Sequence, residues 1–215
     1  MRRAAAYDHN RTVMILAFDT SSSACTAAVF DGDGNCLSSS DEIIGRGHSE
    51  RLVPLLEQLL DGRRPDHILV GIGPGSFTGI RVGVAAAHGL AIGWDASVSG
   101  ISSLALIAAG SGSDGAVAAA VLGGHNEIFI QQFDGATSEP IGALINSSPA
   151  DAAHSVSAPL VLGSGAAALV AARGSGEARE AWPSARHALL VPEALRSLDP
   201  RPLYARAPDA KAAAA

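Results

Sequence analysis

The chain has 215 residues, of which 47% are apolar and 17% charged, with 15 Lys and Arg against 21 Asp and Glu for a net charge of −6. That size and apolar content suffice to bury a core in one large domain or two small lobes, and with aromatics at only 4% the core must be built from closely packed Ala, Val, Leu and Ile. The net negative charge, with no run of cations to offset it, excludes a chain that grips a polyanion by charge alone, so a nucleic-acid substrate would have to be held by a partner.

Residues 1–13 lack the apolar stretch of a secretory leader and read as a disordered extension. MILAF (Met14–Phe18), CTAAVF (Cys25–Phe30) and NCLSSS (Asn35–Ser40) are short apolar or alternating runs separated by turn residues, which predicts a three-strand meander. Pairing Phe30 with Asn35 across the DGDG turn puts Cys25 and Cys36 roughly 13 Å apart, too far for a disulfide. Two unpaired cysteines point to the reducing cytoplasm. From Ser49, read as an N-cap, Leu52, Leu55, Leu56, Leu59 and Leu60 fall on a helical stripe that Pro54 should kink. His67–Gly73 reads as a buried strand, and a Gly-Pro-Gly turn carries it into a second helix over about 78–92, with a third opening at Ile101–Ala109. GSGSDG (Gly110–Gly115) reads as a lobe boundary. Beyond it AVAAAVL and EIFIQQF predict a hairpin, PLVLG a strand and GSGAAALVAA a short helix, so the order repeats the first half on a smaller scale. No run of eighteen apolar residues lacks charge or proline, which argues against a membrane span.

The stretch Gly73-Pro74-Gly75-Ser76-Phe77-Thr78-Gly79-Ile80-Arg81 has the outline of a phosphate loop opening a helix, yet it lacks the lysine that would reach the terminal phosphates. What remains is a strand-to-helix turn with Ser76 and Thr78 as caps and a cation, Arg81, near the positive end of the helix dipole. Arg81 either meets an acid or anion or extends into solvent. Gly79, Gly83 and Ala87 make a smooth face, and the apolar surface left over on two neighbouring helices suggests an intermolecular helix contact. Asp19-Thr20-Ser21-Ser22 ends the first strand where a phosphate turn would sit, but without the glycine that lets backbone wrap phosphate; a self-capped structural turn is the favoured reading. No two of the seven histidines lie four apart and no G-x-S-x-G elbow occurs, so neither a helical metal pair nor a hydrolase nucleophile is indicated.

ILAFDTSSSACTAAV, GHSERLVPLLEQLL, GIGPGSFTGIRVGVAAAHGLA and GISSLALIA, in that order over Met14–Ala109, resemble the TsaB (YeaZ) family, with GPGSFTGIR the most specific of the four. The second half resembles it more loosely, through Glu127 and the terminal PLYARAPDAK, and carries Gly123-Gly124-His125 where members usually have Asp-Ala-Arg. The resemblance implies an α/β actin-like/hexokinase-like (ASKHA) two-lobe fold with a shortened second lobe: a first lobe over 14–110, a second over 111–205 and a flexible tail over 206–215. It implies a noncatalytic role in making threonylcarbamoyladenosine in tRNA, through binding and activating the catalytic TsaD subunit. A TsaE-like ATPase would join the complex, tRNA would be met only through it, ATP or ADP would enter at the level of the complex, and the isolated chain would pair with itself. The implied interface residues are His48, Arg51, Leu52, Leu55, Leu56, Leu59, Val82 and Ala86, beside the loop from Gly73 to Arg81 and a degenerate phosphate turn at Asp19, Thr20 and Ser21; no metal or resident cofactor is implied. The rival readings are a small-molecule kinase of the same fold and, further behind, a peptidase.

Overall fold

A computed structural model describes residues 13–203; most of the expected N-terminal extension, and the expected C-terminal tail, lie outside them. Strands β1 (Ile15–Asp19), β2 (Ala24–Phe30) and β3 (Cys36–Ile43) form the expected antiparallel meander. The chain then runs through α1 (His48–Leu60), β4 (His67–Gly71), α2 (Phe77–Trp94), β5 (Ser97–Ile101) and α3 (Ser103–Ala109). The first sheet has the order β3-β2-β1-β4-β5, with β4 and β5 parallel to β1. The second half repeats the plan: β6 (Ala116–Leu122), β7 (Ile128–Asp134) and β8 (Ile145–Ser147) form a meander, and after α4 (Pro149–Ala152), β9 (Leu160–Leu162) and β10 (Glu177–Arg179) lie parallel to β6, joined by α5 (Ala166–Arg173). This is the two-lobe ASKHA plan, and the second copy is shortened: β9 and β10 have three residues each and α5 has eight, against eighteen in α2.

Three apolar clusters define the layers. One lies between the first sheet and α1 and α2, one between the second sheet and α4 and α5, and one between the two sheets, where α3 joins Ala17, Ala28 and Leu69 of the first sheet to Val117, Ala119 and Phe133 of the second. The 110–115 connection therefore joins lobes that share a core. Residues after Pro183 also return to the first lobe rather than completing the second as the sequence suggests. The 3-10 helix Ala185–Leu190 wedges between the sheets, with Ala185 and Ala188 fully buried. A short helix α6 (Glu193–Arg196) packs on β5, Leu198 bridges to Gly100, and the Leu203 amide donates to the Ile72 carbonyl. Those residues cover the inner face of the first sheet beside α3 and cover its β5 edge.

Several local expectations change. Helix α1 begins at His48 after Gly47 in a left-handed conformation (φ 88°), so Ser49 is inside the helix and not its cap, and the helix continues through Pro54 to Leu60. Ser76 alone caps α2, accepting from the Gly79 amide at 3.2 Å; Thr78 lies within the first turn. A bulge shifts the hairpin register so that Phe30 pairs with Cys36; Cys25 is buried, Cys36 exposed, and both are free. No helix among the described residues is long and apolar enough to cross a membrane.

Candidate functional site

The first strand ends in a fully buried carboxylate. Asp19 Oδ1 accepts from the Ser21 amide at 2.6 Å and the Ser21 hydroxyl at 2.7 Å, and Oδ2 accepts from the Ser103 hydroxyl at 2.6 Å. Ser103 in turn accepts from the Gly73 amide at 3.1 Å, so β1, α3 and the glycine turn meet at one group. Burial pushes the Asp19 carboxyl above its ordinary range, and the Ser103 and Ser21 hydrogen bonds and the nearby His48 act against that push.

Four glycines in and beside the Gly73–Arg81 turn admit this arrangement. A side chain at Gly71 would start 1.9 Å from Asp19 Oδ2, one at Gly75 2.3 Å from the Ser21 carbonyl oxygen, one at Gly79 1.9 Å from the Thr20 carbonyl oxygen, and one at Gly83 2.5 Å from Thr20 Oγ1. Thr20 Oγ1 donates to the Gly79 carbonyl at 2.7 Å, and the Ser76 amide donates to the Ser21 carbonyl at 2.6 Å. Asp19, Thr20 and Ser21 are thus buried under the start of α2, and the turn that would receive a phosphate is filled by the chain's own helix. Ser103 went unread in the sequence because ISSL supplies two hydroxyls at a helix start: Ser102 caps, accepting from the Ala105 amide, which leaves Ser103 for the carboxylate.

The expected interface residues divide. Leu52, Leu55, Leu56 and Leu59 are buried against the first sheet, so they anchor α1 and cannot present themselves to a partner. His48 is also buried, with Nε2 3.3 Å from the Ala24 carbonyl, and Arg51 forms a two-pronged pair with Glu42 that holds that carboxyl below its usual range. Val82 and Ala86 are half-buried at the edge of the same core. The stripe is apolar as expected, but it faces inward: five leucines on one helix are what a sheet of Val, Leu and Ala needs to cover one side. The outward surface is made instead by Val53 on α1 (52% exposed) and by Phe77 and Ile92 on α2 (56% and 86%), with Arg81, Ala85, His88 and Gly89 between the last two. The Arg81 guanidinium lies 3.7 Å from the centre of the Phe77 ring, a cation–π contact that shelters the charge at the helix start. No group of three His, Cys, Asp or Glu side chains among the described residues is placed to hold a metal ion.

The family model described as TsaD: tRNA N6-adenosine threonylcarbamoyltransferase matches residues 39–179, well over half of the chain. The chain belongs to this family, among its TsaB (YeaZ) members. It is 35% identical over 102 residues to the tRNA threonylcarbamoyladenosine biosynthesis protein TsaB of Escherichia coli K12 and 36% identical over 104 residues to that of Haemophilus influenzae. Those matches cover 45% and 46% of this chain and 43% of each relative, so they span less than half of the TsaB proteins compared. Among solved structures, YeaZ from Pseudomonas aeruginosa has a TM-score of 0.70 at 29% identity, covering 83% of this chain and 90% of that one. A further Pseudomonas aeruginosa structure, described as an uncharacterized protein with similarity to peptidase YEAZ, has a TM-score of 0.75 at 27% identity over 90% of this chain and all of that one. The two-lobe YeaZ architecture thus extends through the shortened second lobe.

Proposed function

We propose that this chain is a noncatalytic subunit of the machinery that forms N6-threonylcarbamoyladenosine in tRNA, and that it binds and activates a TsaD-like catalytic subunit through the outward faces of α1 and α2. The observation that carries the reading is that Asp19, Thr20 and Ser21 lie buried beneath the chain's own α2, while Val53, Phe77 and Ile92 stand exposed on the two helices above. The turn has exchanged ligand access for helix packing, and what it supports is an apolar surface of the kind that joins proteins. The pathway is taken from the TsaB relatives, which are named as tRNA threonylcarbamoyladenosine biosynthesis proteins. A TsaE-like ATPase joins the same complex, and tRNA is reached through the partner, in keeping with the chain's net charge of −6. Alone, the chain uses the same two helices to pair with a second copy.

Light scattering of the chain mixed with its TsaD homologue tests the contact: a one-to-one complex is expected at micromolar concentration. Ile92→Asp and Val53→Asp, both at exposed positions, should remove the complex while leaving the fold intact, whereas Leu56→Asp should unfold the protein because it puts a charge in the core. Threonylcarbamoyl transfer to tRNA separates activator from enzyme. The isolated chain should show none and should raise the rate of the TsaD homologue; turnover by the chain alone would overturn the reading.

A further inference from the structure

The seam between the lobes holds a histidine in an unusual setting. His187 sits on the 3-10 helix that packs against α3, and its ring lies over Gly110, the residue that ends α3: a methyl group there would fall 2.6 Å from both Cε1 and Nδ1. The Leu106 carbonyl of α3 faces the ring as a hydrogen-bond acceptor. Nδ1 is buried and has no hydrogen-bond partner among the described residues. A neutral imidazole suits such a place, since it has one N–H to give and a lone pair that can go without a donor. A second proton placed on Nδ1 meets no acceptor within hydrogen-bond reach among the described residues.

The neighbours offer little compensation. Helix α3, SLALIAA, has no ionisable side chain. From β3 the charged neighbour is Asp41, whose Oδ2 already accepts from the Ser184 hydroxyl at 2.7 Å, and from the 3-10 helix it is Arg186, whose guanidinium bonds the Ser39 hydroxyl. On β2 the group toward the 3-10 helix is the Thr26 hydroxyl, which donates to the Pro183 carbonyl and accepts from the Ala185 amide; Cys25 belongs to the core on the other side of the sheet. On β1 Asp19 is engaged by Ser21 and Ser103.

We propose that His187 is an acid-sensitive latch between the lobes, and that a second proton on its ring loosens the 3-10 helix from α3 and, with it, the shared core. Burial holds the imidazole below its ordinary value of 6.5, Asp41 and the Leu106 carbonyl oppose that, and Arg186 adds to it. The native state therefore binds this proton later than the unfolded chain does. The stability that the neutral ring contributes is complete above the unfolded value of 6.5 and is lost as pH falls from there through the lowered native value.

Two measurements on the full chain test the latch, neither of which depends on the role proposed above. In the first, the His187 ring is titrated by NMR and is expected to have its midpoint below 6.5. In the second, amide hydrogen exchange over 104–110 and 185–190, corrected for intrinsic chemistry, should lose protection several-fold between about pH 7.5 and about pH 5.5, and the loss should be at least halved in His187→Gln. A midpoint at or above 6.5, or an equal loss in both proteins, overturns the proposal. If the glutamine variant does not fold, the wild-type titration and exchange decide on their own: unchanged protection through the titration rules the latch out.

Discussion

Each lobe turns from a strand into a helix through glycines that press against the end of that lobe's first strand, and the two turns differ in what they press upon. In the first, Gly75 and Gly79 lie on the carbonyls of Ser21 and Thr20 above a buried carboxylate that gathers three hydrogen bonds. In the second, Gly163 and Gly165 lie on Ala120 and Val121; the Gly165 amide donates to the Ala120 carbonyl at 3.0 Å, and Ser164 Oγ accepts from the Leu122 amide at 3.1 Å. The geometry is shared and the chemistry is not. A strand-to-helix turn needs only close backbone approach, so the polar junction in the first lobe is an addition. It ties the start of α2 to α3, the helix at the lobe seam.

If that contrast is right, damage should fall unequally on the two turns. The largest effect is expected for Gly79→Ala, whose methyl would lie 1.9 Å from a backbone oxygen, against Gly165→Ala, whose closest neighbour is the Ile128 Cγ2 methyl at 3.0 Å. The first should cost about 3 kcal/mol, because the helix must lift from the turn, and the second less than about 1 kcal/mol, because a side chain can shift. Chemical denaturation of both variants measures this, and equal losses would erase the distinction. Next comes Asp19→Ala, which strands the Ser21 amide and the Ser21 and Ser103 hydroxyls and should cost about 2 kcal/mol. Ser164→Ala in the second turn removes one bond at the protein surface and should cost about 0.5 kcal/mol. Last among the first-lobe changes is Ser76→Ala, expected to cost about 1 kcal/mol by deleting the α2 cap; α5 begins at Gly165 with no side-chain cap and has no counterpart to lose.

Acid sharpens the comparison further. Because the native carboxyl of Asp19 titrates above its unfolded value of 3.8, the native state takes up this proton first, and this group adds stability as pH falls through the raised value. Wild type should therefore gain on Asp19→Asn as the solution is acidified, which paired denaturation curves at two pH values would reveal. The second turn has no buried carboxyl and should contribute no such trend.

Much of this plan was legible in the residues. The meander, the repeat of the second half and the first three helices follow from apolar period and turn chemistry, and GPGSFTGIR pointed to the right family. What failed did so for physical reasons. Period assigns a leucine to a stripe but does not say whether the stripe faces a sheet or a partner: Leu52, Leu55, Leu56 and Leu59 face the sheet, and Val53 and Ile92 face outward. Strand β5, SVSGI, mixes small polar residues with apolar ones and offers no clean alternation. The buried junction at Asp19 depends on Ser103, 84 residues away in sequence, and no local pattern shows a contact of that range.

The return of the last described segment to the first lobe sets the order in which the protein can be completed. Leu198 lies beside Gly100, and Leu203 reaches back to Ile72, so β5 gains its cover only after nearly the whole second lobe has been synthesised. A nascent chain that has reached only Pro183 lacks the Leu198 bridge and the α6 contact on that edge, and an exposed strand edge is where strands recruit other strands. The strap thus ties the β5 edge of the first lobe to a segment synthesised after the second sheet.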